Sequence, residues 1–100
     1  MKIWVDDVRP APEGYVWCKT VNGAKRLLSD PHIQHCYTIE LVDIDHDAGN
    51  YARSGGDYIK LLDWLEETGR NYPIRIHSMN PVGRENMRRI IRRNGWQEVF

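Results

Sequence analysis

Apolar residues recur along this chain in two alternating rhythms. Lys2-Ile3-Trp4-Val5 is a short β-rich run that stops at Asp6-Asp7, and Tyr15 to Thr20 is β-prone again. Between them Pro10, Pro12 and Gly14 mark a loop. From Val21 the spacing changes. Val21, Ala24, Leu27 and Leu28 fall at i, i+3, i+6 and i+7, which predicts a helix with Thr20 as N-cap and Pro31 as its stop. Tyr37 to Asp45 predicts the strongest strand, and a loop follows from His46 to Gly56. A second helix takes Asp57 as its cap, Tyr58, Ile59, Leu61, Leu62 and Leu65 as its apolar face, and Gly69 as its end. Ile74 to His77 predicts a short strand. Asn80 caps a third helix with Pro81 at its first position, Met87, Ile90 and Ile91 as core stripe, and Gly95 as its close. Trp96 to Phe100 reads as a last short strand.

Strands alternating with amphipathic helices predict an α/β fold: an open, mainly parallel sheet of four to five strands with about three helices. No helix is expected between strands one and two. That first connection, of about eight residues, is shorter than the dozen or more of an ordinary parallel crossover. Either the proline-rich loop runs extended over the sheet end, or strand two pairs antiparallel. The chain of 100 residues is read as one domain, 1–100.

Composition narrows the function. Fourteen Lys and Arg balance fourteen Asp and Glu, which excludes a broadly basic nucleic-acid packager and an acidic tail protein. A hydrophobic share of 41% is too high for disorder. No apolar run could span a membrane, and the opening KIWVDD lacks a secretory signal, so a soluble, cytoplasmic protein is expected. The charge is nevertheless segregated, −3 over residues 1–50 and +3 over residues 51–100. Cys18 and Cys36 lack Cys-x-x-Cys spacing and read as small hydrophobes in apolar surroundings.

Ligands of open α/β sheets bind at the carboxyl ends of the strands. Three such ends are polar here: Asp6-Asp7, Asp43-Ile44-Asp45-His46-Asp47, and His77-Ser78-Met79-Asn80. If those strands are neighbours, their carboxylates repel, and a hard divalent cation relieves the repulsion. Mg²⁺ fits best, with Asp6, Asp7, Asp45 and Asp47 as candidate ligands. Asp43, inside the apolar run, belongs either to this group or to a hydrogen-bonded structural role. The run D-I-D-H-D-A-G is no EF-hand, because Gly49 comes one place late and Ser54 stands where Glu is required. His46 and His77 are candidate proton carriers, whereas His32 and His35 fall in a surface connection. Asn80 to Arg84 is a helix start that favours an anion, with Gly83 allowing close approach and Arg84 able to fork onto phosphate. Arg88, Arg89, Arg92 and Arg93 form either a solvated face or a groove for a polyanion such as RNA.

Together, K-I-W-V-D-D-V-R-P-A-P-E-G-Y, D-I-D-H-D-A-G and I-H-S-M-N-P-V-G-R resemble the cyclic-phosphate processing receiver domain family, a divergent branch of the receiver (flavodoxin-like) fold. The resemblance implies a compact domain in which Asp6 and Asp7 replace the receiver's acidic pair. It likewise puts Asp45 at the phosphoacceptor aspartate and Ser78 at the Ser/Thr after strand four. Two departures stand out. The R-P-A-P-E-G loop replaces the helix after strand one, and no lysine follows Lys60, so that Arg9 or Arg84 could supply the receiver's missing cation instead. The combined expectation is a Mg²⁺-dependent phosphoesterase acting on cyclic phosphates, phosphorylated nucleotides or RNA ends. Asp45, His46 and His77 would be catalytic, and Arg9, Ser78, Asn80, Gly83 and Arg84 would bind phosphate. The alternative is a non-catalytic module that binds or senses a phosphorylated ligand.

Overall fold

In the computed structural model of residues 1–100, five strands form one sheet: β1 (Lys2–Val5), β2 (Tyr15–Cys18), β3 (Leu41–Ile44), β4 (Ile74–Ile76) and β5 (Glu98–Val99). Their order is β2-β1-β3-β4-β5, and every neighbouring pair is parallel. Four α-helices connect them: α1 (Val21–Ser29), α2 (Pro31–Cys36), α3 (Ile59–Glu67) and α4 (Pro81–Asn94), with a 3-10 segment at Gly49–Ser54. The fold is the receiver-like open α/β sheet expected, with one more helix than the sequence pattern indicated. No helix is long and apolar enough to cross a membrane.

Strand length settles the direction of β2. A four-residue strand is only about 13 Å long. The connection from residue 6 to 14 can extend roughly 30 Å, which is enough to return along the sheet and step to the next strand without a helix.

Helices α1, α3 and α4 then lie on one face. From β2 the chain moves in one direction across the sheet, through β3 and β4 to β5, and right-handed crossovers in one direction stack their helices on one side. A single core records this. Ile3, Val5, Cys18, Val42, Ile44, Ile74 and Ile76 pack with Val21, Ala24, Leu28, Leu61, Leu62, Leu65, Met87, Ile90 and Ile91. The alternate strand positions Lys2, Trp4, Tyr15, Trp17, Leu41, Asp43 and Arg75 face away from the helices. There the Trp4 indole donates to the Arg9 carbonyl at 2.9 Å, so the proline-rich loop covers part of this second face.

Local chemistry explains most boundaries. Thr20 Oγ1 accepts from the Gly23 N–H at 2.8 Å, Asn80 Oδ1 accepts from that of Gly83 at 3.0 Å, and Gly95 closes α4 at φ +67°. Three expectations are corrected. Pro31 does not merely stop a helix; capped by Asp30, it starts α2, which carries His32 and His35. The strand expected over 37–45 pairs only over Leu41–Ile44, because residues 37–40 extend past the start of β1. Asp57 does not cap α3: its carboxylate accepts from the Ala48 N–H at 3.0 Å, tying the loop after β3.

Candidate metal and phosphate site

β1 and β3 are adjacent, so their ends bring Asp6, Asp7 and Asp45 together. One ligand oxygen from each lies within 4.8 Å of the others. Asp6 is the anchored member, at 1% exposure. Its Oδ1 accepts the N–H groups of Val8 and Arg9 at 2.9 and 3.0 Å, and its Oδ2 lies 2.9 Å from His77 Nε2. Burial pushes its carboxyl up, but those backbone donors and His77 outweigh burial and hold it below the usual aspartate range. Asp7 goes the other way: burial and the charges of Asp6 and Asp45 push it up. The same carboxylates, added to burial, push the Tyr58 hydroxyl up. Asp45 accepts from the His46 N–H at 2.8 Å through Oδ1 alone. Three hard oxygen donors brought this close together suit a divalent cation.

β4 contributes His77, but its ring does not point freely into the site. Nδ1 lies 2.7 Å from Asp43 and Nε2 2.9 Å from Asp6, so both nitrogens are engaged by buried carboxylates. Arg75 Nη1 donates to the other Asp43 oxygen at 3.2 Å. Asp43 is therefore the hydrogen-bonded structural group, at 0% exposure. His77 is a positioning residue for Asp6. His46 differs: Nδ1 lies 2.8 Å from Asp47 Oδ1, which orients the ring and leaves Nε2 available. Asp47 is not a member of the carboxylate triad, because its side chain turns to that histidine.

The start of α4 is also used differently from expectation. The Gly83 N–H is taken by Asn80, and the glycine makes room for the His46 ring, which any Cβ there would strike. Ser78 Oγ accepts from the Asn80 N–H at 3.1 Å. Arg9 and Arg84 grip consecutive carbonyls, those of His77 at 3.0 Å and Ser78 at 3.2 Å, and neither has a carboxylate partner. In the arginine stripe Arg88 pairs with Glu98, Arg92 with Glu85 and Arg93 with Glu66, while Arg89 has no carboxylate partner.

Sequence reasoning passed over two residues. Gly49 has φ +55°, and a side chain there would meet the Asp7 carboxylate. Its position after D-I-D-H-D-A was the available signal. Trp4 stacks on His77, a contact across the sheet with no local signature. Nor is Cys36 a buried hydrophobe: it lies exposed on α2, while Cys18 is buried, its thiol pushed up to about 11.

No curated protein and no solved structure matches the chain. The family model of the cyclic-phosphate processing receiver domain matches residues 1–93, a span that holds the carboxylates, both site histidines and all but the last residue of α4. The chain belongs to that family.

Proposed function

We propose that this domain hydrolyses cyclic phosphate esters of nucleotides with Mg²⁺ as its cofactor. One observation carries the reading: the ligand oxygens of Asp6, Asp7 and Asp45 meet within 4.8 Å, in a chain whose family is named for cyclic-phosphate processing. A bound Mg²⁺ would supply positive charge to phosphoryl oxygens and lower the pKa of water. The three carboxylates would hold it, and His77 keeps Asp6 in place. His46, oriented by Asp47, takes the proton from the attacking water at Nε2. Arg9 and Arg84 offer their remaining N–H groups to phosphoryl oxygens. Water adds to phosphorus, one ester P–O bond of the ring breaks, and the departing oxygen takes up a proton. The products are a phosphate monoester and a free hydroxyl.

Incubation with 2′,3′-cyclic nucleotides, followed by phosphorus NMR, tests this. Monoester should accumulate with Mg²⁺, and should not with EDTA or in Asp45→Asn. Absence of turnover, or undiminished turnover in that variant, overturns the reading. A second reading, a phosphate-ligand binding module, is favoured by the engagement of both His77 nitrogens, which leaves one histidine for proton transfer. It predicts Mg²⁺-dependent binding of the same nucleotides with no product.

A further inference from the structure

Beside the carboxylates, rather than over them, two adjoining cavities of about 340 and 360 Å³ share Ser78, Met79, Arg84 and Arg88. They form one furrow from the start of α4 to the end of β5. Arg75 from β4 also lines it, against a single carboxylate, that of Glu98. Each of the three guanidinium groups is pinned through one nitrogen. Arg75 is held by Asp43, Arg84 by the Ser78 carbonyl and Arg88 by Glu98. The pinning reduces the rotamer entropy lost on binding, while the other N–H groups stay available for an anion.

The furrow has an apolar side as well. Met79 and Phe100 are 79% and 87% exposed, and the Arg88 guanidinium lies 5.8 Å from the Phe100 ring. Large apolar side chains standing in water beside clustered cations match a ligand that is both flat and anionic. An acidic peptide would satisfy the charge but leave the apolar walls wet. A nucleotide satisfies both, and cavities of this size suit one.

We propose that this furrow is a nucleotide subsite, in which Arg84 and Arg88 hold a phosphate and Met79 and Phe100 flank the base. Only its orientation, with the phosphate end toward the carboxylates, rests on the phosphoesterase reading. Calorimetric titration in EDTA and low salt, with adenosine 5′-monophosphate, adenosine and inorganic phosphate as separate probes, tests it. The monophosphate should bind without any divalent cation, about tenfold or more tighter than either fragment. Its affinity should fall about fivefold or more in Met79→Ala and in Arg88→Gln. Met79 is too exposed for its truncation to unfold the domain, so that variant remains informative if Arg88→Gln misfolds. Binding that requires Mg²⁺, equals that of phosphate, or survives Met79→Ala unchanged overturns the proposal. Absence of cyclic-nucleotide turnover would leave the EDTA titration untouched, so the two readings fail separately.

Discussion

The indole of Trp4 lies flat on the imidazole of His77, with ring centroids 3.9 Å apart and planes 5° from parallel. The histidine is thus closed on one face by an aromatic ring and at both nitrogens by Asp6 and Asp43. Such a ring fixes geometry: the Asp6 carboxylate it holds is one of the three that can bind an ion. The relationship ties the sheet face opposite the helices to the chemistry at the strand ends.

Replacing His77 with Ala leaves two buried carboxylates without their shared partner. Loss of one member of a buried charged network costs about 3–5 kcal/mol. Urea unfolding of His77→Ala should show a loss of that order, and a loss below about 1 kcal/mol would contradict the network's importance.

Acid should weaken the fold through Asp6. Its carboxyl is held below the usual aspartate range, so the unfolded chain takes up a proton at pH values where the folded chain remains ionised. This contribution is fully present above the ordinary aspartate pKa and is lost as pH falls through the lowered folded value. Unfolding free energy measured downward from about pH 5 should therefore drop, and less steeply in Asp6→Asn.

Metal binding should stabilise the domain and relieve Asp7. Mg²⁺ at about a hundred times its Kd adds about 2.7 kcal/mol if it binds only the folded chain. Asp45→Asn removes one of three mutually repelling charges, so its metal-free form should melt higher than the parent and gain nothing from Mg²⁺. Because the Asp7 carboxyl is pushed up, protons compete for the site and affinity should fall as pH is lowered. Thermal melts with and without Mg²⁺ read all three effects.

Gly83→Ala isolates the contact between α4 and His46. Alanine favours a helix, but here its Cβ would run into the imidazole ring. The expected result is a displaced His46, seen in its ring proton NMR signals, and a net destabilisation of about 1–3 kcal/mol. Unchanged ring signals would remove Gly83 from the site.

The two cysteines should separate by reactivity. At about pH 8, iodoacetamide should label exposed Cys36 in the folded protein and both cysteines after denaturation. Burial pushes the Cys18 thiol to about 11, so the folded chain keeps a proton that the unfolded chain loses. That contribution to stability declines as pH rises from the ordinary thiol range toward 11.

Features encoded over a few neighbouring residues were legible in the sequence. Asn80-Pro81 and Gly95 bracket α4 because caps act within one turn, and Asp6, Asp7 and Asp45 are visible because each ends an apolar run. Partners far along the chain were not. Asp57 resembles a helix cap, yet its acceptor role is to a backbone nine positions earlier. Arg88 and Arg93 read as a basic stripe until the fold brings Glu98 and Glu66 against them. The direction of β2 depended on comparing strand length with loop reach, which hydrophobic periodicity does not encode.

The helix-free side of the sheet equips the protein with its own optical probe. Two of its four tryptophans lie there, and both indole N–H groups bond to the loop that carries the first carboxylates, Trp17 to the Asp6 carbonyl at 2.7 Å and Trp4 to that of Arg9. A shift of that loop as an ion settles among the aspartates would alter the surroundings of two fluorophores at once. Emission from the unlabelled chain would then follow occupancy in real time.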